Sequence, residues 1–368
     1  MKKIICLLGL ILLVLTACHR DEATSNAPPP ARPTNLQHSR TELLMGGPIE
    51  VRIADIECSD AYEDVRCSLV DTAFELIFEM ERRFTVNDTG GEVEEINAMA
   101  GISPVVVQSD TFYLIEQAIF YSIYSDRLFN ATIGPLTSLW NIGMPGSRRP
   151  TEAEIEAVLP LLDPKNVILD AEAQTVFLSE PNMRLDLGAI AKGYMADIIA
   201  ELLLENGVER ALLIVGGDVL AIGGRSGGEP LRIGIRNPFF DNDEATDNYL
   251  IGTLPAYNQA VVTSGTYNRY FVDHDTQTFY HHIFDSTTGM PFNNDISSIS
   301  IIADTGLLGE VYSTIIFAMG IEAGLAYVEN HPRLEVMFVS ADRGIYLSSG
   351  LLTEFNLMLT EEFSIRTP

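Results

Sequence analysis

The run IEVRIADI, residues 49–56, alternates apolar and polar side chains and predicts a strand with one buried face. After Asp64 the period changes. Val65, Leu69, Ala73, Leu76, Ile77 and Met80 recur at helical spacing and predict a helix from Asp64 to Arg83. The turn residues VNDTGG follow, then a short helix containing Ile96 and Asn97, a strand at PVVVQ, and a helix from Asp110 to about Tyr124. EAEIEAVLPLL predicts another helix, with Thr151 as N-cap and Glu154 three residues on as its capping-box partner. Strands at NVILD and TVFLS lead to a helix that begins near Ala189 and stops near Gly207. ALLIVGG, LRIGIRN, LIGTLPA and AVVTSG are four runs of β-character. SSISIIA then leads into a helix around Val311 to Met319, a further helix before His331, and a closing hairpin of EVMFVS and GIYLSS. Strands cluster in the second half without regular βαβ alternation. The pattern therefore predicts an α+β fold, a mixed and largely antiparallel sheet with packed helices, in one large domain or two closely packed lobes.

The N-terminus carries a different pattern. Lys2 and Lys3 precede an apolar run from Ile4 to Leu15, too short to span a bilayer and proportioned like a secretory signal. It ends in LTAC, which resembles the lipobox of bacterial lipoproteins; that resemblance implies cleavage after residue 17 and acylation of Cys18. An uncleaved anchor is the alternative. Residues 18–41 include NAPPPARPTN and suit an extended tether, so the folded part is expected at residues 42–368. With Cys6 removed and Cys18 acylated, Cys58 and Cys67 remain and are free to pair in an exported protein if their geometry allows.

Composition narrows the function. A hydrophobic content of 46% supplies an ample core, and a formal net charge of −28 argues against binding nucleic acid or an anionic membrane through a basic face. Removing Lys2 and Lys3 with the signal takes the charge to about −30, so anchoring rests on lipid. An anionic ligand needs local help here, from backbone amides, a placed lysine or a divalent cation. LDLGAIAKG, residues 185–193, offers such a place: a helix start beside Gly188, with Lys192 one turn in and Asp186 available to a hydroxyl or ring nitrogen. Alone, the same residues also describe an ordinary turn. Trp140 reads as core, while the acidic run Asp241–Asp247 and His274 read as solvated loop.

LDLGAIAKG does not stand alone. LMGG at 44–47, FNATIGPLTSLWNIG at 129–143, LLIVGGDVLAIGG at 212–224, AVVTSGTYNRYF at 260–271 and HHIFDSTTGMP at 281–291 stand with it in one order. From about Met45 to about Gly350 the chain resembles the ApbE family, exported lipoproteins that act as FAD:protein FMN transferases. The resemblance implies a flavin site contacted by Met45, Asn87, Leu128, Phe129, Asn130, Asp186, Lys192, Thr263, Ser264 and Gly265. Phe284 and Asp285 are expected to close the flavin pocket, Asp285 alternatively orienting His282 or simply forming a turn. It implies Mg2+, with Mn2+ as a second choice, held by the Ala189 carbonyl and the side chains of Glu310 and Thr314. His282 is the expected general base, as a hydroxyl nucleophile needs a group titrating near neutrality, and His281 is the weaker candidate.

The implied reaction breaks the FAD pyrophosphate, joins FMN to a Ser or Thr hydroxyl of an acceptor flavoprotein subunit and releases AMP. The implied location is the periplasmic side of a membrane, held by the N-terminal lipid. Three departures from the family pattern bear on this. Glu310 stands where aspartate is usual, Asn130 replaces an aspartate, and Asn87 replaces an aromatic residue that would cover the flavin. With less stacking surface at 87, water becomes a competing acceptor. An FAD pyrophosphatase giving FMN and AMP, and a non-enzymatic flavin-binding lipoprotein, therefore stand as alternatives.

Overall fold

The computed structural model describes residues 37–56, 58–59, 62–63, 66–86, 90–240, 248–273 and 275–367. The signal, Cys18, most of the tether, Asn87, the run Asp241–Asp247 and His274 lie outside the described residues. The frame is a nine-stranded sheet whose strands lie side by side in chain order: Gln37–Leu44, Gly47–Ala54, Ala211–Val215, Asp218–Ile222, Gln259–Gly265, Ile296–Ala303, Leu334–Ser340, Gly344–Leu347 and Ser364–Ile365. Every neighbouring pair is antiparallel except the last. The first strand begins at Gln37, ahead of the expected start at Glu42. It is an edge strand held by pairing with Gly47–Ala54, so its polar sequence did not signal burial.

Both faces of the sheet are covered. Leu213, Val215, Leu220 and Ile222 join a core with helices α1 (Ser68–Phe84), α2 (Glu92–Ala98) and α3 (Ser109–Tyr124). Their neighbours Val219, Ala221, Val261 and Ile302 point the other way, onto a small sheet of Leu231–Arg236, Leu250–Ala256 and Asn356–Leu357. Burial on both sides explains why these strands read as nearly continuous apolar runs. Helices α4 (Gly134–Trp140) and α5 (Glu152–Val158) enclose Trp140, which is fully buried and donates from Nε1 to the Gly289 carbonyl at 2.9 Å. The Thr151–Glu154 capping box is present at α5. Helix α4 is not among the elements that the sequence predicts; it is short and its N-terminal glycine and proline masked it. Cys58 and Cys67 form a disulfide. No helix among the described residues is long and apolar enough to cross a membrane.

Helices α6 (Ala191–Glu205) and α7 (Gly306–Met319) position the site, with α8 (Ile321–Glu329) following α7. They touch backbone to backbone: a Cβ on Gly193 would lie 2.2 Å from the Gly306 carbonyl oxygen, and one on Gly306 would lie 2.5 Å from that of Gly193. Asp197 of α6 fastens the contact. Its Oδ1 accepts from the Gly306 amide at 2.6 Å and its Oδ2 from the Leu307 amide at 2.9 Å, so a side chain of one helix caps the other. Burial pushes its carboxyl up to about 6, against the pull of the two amides. Gly193→Ala forces the two backbones apart. We expect it to cost roughly 1–3 kcal/mol, the usual scale for overpacking, in a urea unfolding curve; an unchanged midpoint would show that the contact has slack.

Candidate active site

A cavity of about 450 Å3 opens where the two helix starts meet the sheet. Its floor comes from hairpin tips. Met45 and Gly46 link the first two strands with positive φ at both positions, the requirement of a type I′ turn, and the Met45 amide donates to Glu81. Gly216 and Gly217 do the same before Asp218, and the Gly216 amide reaches the Pro48 carbonyl at 2.9 Å. The Lys192 stem lies so close to Gly216 that a Cβ there would be 3.3 Å from Lys192 Cδ. Asp186, Gly188 and Ala189 form one wall and the loop Leu128–Asn130 another, and Asp218, Thr263, Ser264, Arg269, His282, Phe284, Glu310 and Thr314 are among the other lining residues.

Thirteen of the expected residues therefore share one cavity: Met45, Leu128, Phe129, Asn130, Asp186, Ala189, Lys192, Thr263, Ser264, His282, Phe284, Glu310 and Thr314. Gly265 ends its strand just outside the lining. Asp285 also stands outside it and does not orient His282. Its Oδ1 accepts from the Thr287 amide and hydroxyl at 2.8 and 2.6 Å, and its Oδ2 from the Thr288 hydroxyl at 3.0 Å, so its oxygens close the DSTTG turn. Asn130 is buried and tied locally, donating to the Leu162 carbonyl and accepting from the Thr132 amide and hydroxyl.

Helix α6 begins at Ala191, close to the expected start, but its leading amides are not free: those of Ile190 and Ala191 bond to the Leu187 carbonyl. The Gly188 amide donates to Asp186 Oδ1 at 3.0 Å, and Asp186 Oδ2 accepts from the Thr137 hydroxyl. Lys192 is not a free cation either. It hydrogen-bonds Asp218 and stands 2.6 Å from Glu310 Oε1. Burial works against its charge, but the two carboxylates outweigh that and hold it above the usual lysine range. Burial raises Glu310, with Lys192 opposing. Asp218, absent from the expected set, also accepts from the Thr263 amide at 2.9 Å, tying the triad to the neighbouring strand. Its signal was the acid closing the GGD turn.

The two histidines have separate tasks. His281 is buried, with Nε2 on the Phe292 carbonyl at 2.9 Å and Nδ1 accepting from the Ile283 amide, so both ring nitrogens hold structure. His282 lines the cavity and its Nδ1 faces the Arg269 carbonyl at 3.1 Å. A carbonyl only accepts, so Nδ1 carries the proton and Nε2 keeps the lone pair. Burial, then the Arg269 charge, hold the imidazole down to about 4.

Residues 45–338 match the ApbE family. The chain belongs to that family. It is 39% identical over 315 residues to a Klebsiella pneumoniae protein named FAD:protein FMN transferase, covering 86% of this chain and 93% of the relative. A Treponema pallidum protein of the same name is 31% identical over 336 residues, 88% of this chain and 90% of its own length. Among solved structures, the Thermotoga maritima ApbE protein superposes with a TM-score of 0.75 at 26% identity, covering 87% of this chain and 99% of that one. The Vibrio cholerae flavin transferase ApbE gives 0.71 at 23% identity over the same shares and speaks for the fold alone. The ApbE architecture thus accounts for the chain-ordered sheet and for its helix layer.

Lys192 was expected as a flavin contact, and the triad gives it a structural role as well. Lys192→Met leaves Asp218 and Glu310 facing each other without a counter-charge. It is expected to cost roughly 2–3 kcal/mol in urea unfolding, with part recovered when Glu310→Gln is added. Additive losses in the double variant would mean that the three groups are not coupled.

Proposed function

We propose that this protein transfers FMN from FAD to a Ser or Thr hydroxyl of an acceptor protein, releasing AMP. The observation that carries the reading is the convergence of thirteen residues, dispersed from Met45 to Thr314, on one cavity beside an imidazole with a defined free nitrogen. The names of the relatives support it. In this reading the acceptor oxygen attacks the FMN-side phosphorus of FAD, the bond to the AMP phosphate breaks, and the acceptor proton passes to His282 Nε2. The Arg269 carbonyl keeps His282 in the required tautomer, and Leu128, Phe129 and Phe284 supply apolar wall for a flavin ring.

A divalent cation fits these residues. Glu310 is buried with Oε1 2.6 Å from the Lys192 ammonium, and Ala189 and Thr314 border the same cavity, an oxygen-only donor set suited to Mg2+ or Mn2+. With Glu310 ionised, two carboxylates around one ammonium leave one negative charge over. Such an ion would neutralise phosphate oxygens as charge develops on them. Anchoring through an acylated Cys18 on the periplasmic side of a membrane completes the proposal, supported by the LTAC resemblance and the Pro-rich tether.

The direct test incubates the protein with FAD, Mg2+ and an acceptor bearing exposed Ser or Thr, and follows acceptor mass and AMP. Flavinylated acceptor with equimolar AMP is expected; AMP without acceptor labelling would replace transfer by hydrolysis, and no AMP would leave a binding protein. His282→Ala should reduce turnover by two to four orders of magnitude while FAD still binds. Burial and the Arg269 charge should keep the His282 imidazole neutral from pH 8 to pH 5 in an NMR titration, with protonation only below that. A midpoint near 6.5 would mean that neither shifts it. Glu310→Gln should abolish cation binding in a calorimetric titration with Mn2+, and unchanged affinity would remove Glu310 from the metal set.

A further inference from the structure

The cavity contains two permanent cations, and only one of them is neutralised. Lys192 is held by Asp218 and Glu310. Arg269 is exposed at the rim, and among the described residues its guanidinium has no carboxylate within ion-pair reach and no hydrogen-bond acceptor. Of the two cations that line the cavity, Arg269 is thus the one left without a carboxylate among the described residues. Its place is well defined. The stem runs so close to Gly143 that a Cβ there would lie 3.3 Å from Arg269 Cβ and Cγ, and Nη2 lies 3.9 Å from the corresponding point on Gly46. Gly143 has φ +85 and Gly46 has φ +78, so both turns leave the stem and fork a channel that side chains would narrow. The Arg269 carbonyl meanwhile accepts from His282, which fixes this residue to the imidazole.

We propose that Arg269 is the phosphate contact of this site, its guanidinium fork taking phosphate oxygens of the bound flavin nucleotide. The inference rests on the transfer reading for the identity of the nucleotide. A planar guanidinium matches two phosphate oxygens at once, which an ammonium does not, and Lys192 is already engaged. Arg269 thus performs the anion capture first expected of Lys192, and holds the pyrophosphate beside His282.

Binding titrations followed by flavin fluorescence test this without turnover. The probes are FAD, FMN and riboflavin, which share the ring and differ in phosphate. Arg269→Gln is expected to weaken FAD and FMN by about 10-fold or more, the scale of a lost charged hydrogen-bonding contact, with riboflavin unchanged within about 2-fold. Arg269→Lys should fall between the two. Equal loss for all three flavins would mean that Arg269 only shapes the pocket, and unchanged FAD affinity would mean that it meets no phosphate; either result overturns the proposal. AMP release by the unsubstituted protein separates the two readings. If it binds FAD and releases no AMP, transfer fails while the phosphate contact stands or falls on the titration.

Discussion

The contact between the backbones of Gly193 and Gly306 is the constraint on which the site depends. Two helices can approach this closely only where neither carries a Cβ, and Asp197 then caps the start of α7 from within α6. Because α6 and α7 meet at their first turns, Lys192 and Glu310, each one turn or less from the contact, are brought to 2.6 Å of one another. The strands beneath supply what remains. Asp218 follows a glycine hairpin, and its second oxygen takes the Thr263 amide, so sheet and helices are joined through one charged cluster.

Charge explains how an acidic protein receives an anion. The long-range field of a chain at −28 repels phosphate, and the cavity itself contains Asp186, Asp218 and Glu310. Each carboxylate is occupied at least in part: Asp186 by Thr137 and Gly188, Asp218 by Lys192 and Thr263, and Glu310 by Lys192. Local positive charge at Arg269, together with the proposed cation at Glu310, would overcome the field over a few ångströms.

Much of this was legible in the chain because periodicity reports burial. The helix at Ser68–Phe84, the capping box at Thr151 and the strands from Ala211 onward each carry a local pattern that tertiary packing did not override. The strand at Gln37–Leu44 was not, since an edge strand buries little. The family resemblance located thirteen cavity residues, ten of them inside the ordered motifs, but sequence order carries no information on pairing. Lys192 looked free because its counter-ions come from a hairpin turn and a distant helix, and Asp285 looked functional although its neighbours Thr287 and Thr288 occupy its oxygens.

The central claim is that the glycine contact sets the charged cluster. Its most direct measurement is the coupling energy between Lys192→Met and Glu310→Gln, obtained from urea unfolding in the unsubstituted protein and again in a Gly306→Ala background. The account predicts a coupling of about 1–3 kcal/mol that falls to less than half once the added Cβ parts the helices. The same coupling in both backgrounds would contradict it, because Lys192 and Glu310 would then find each other without the glycine contact.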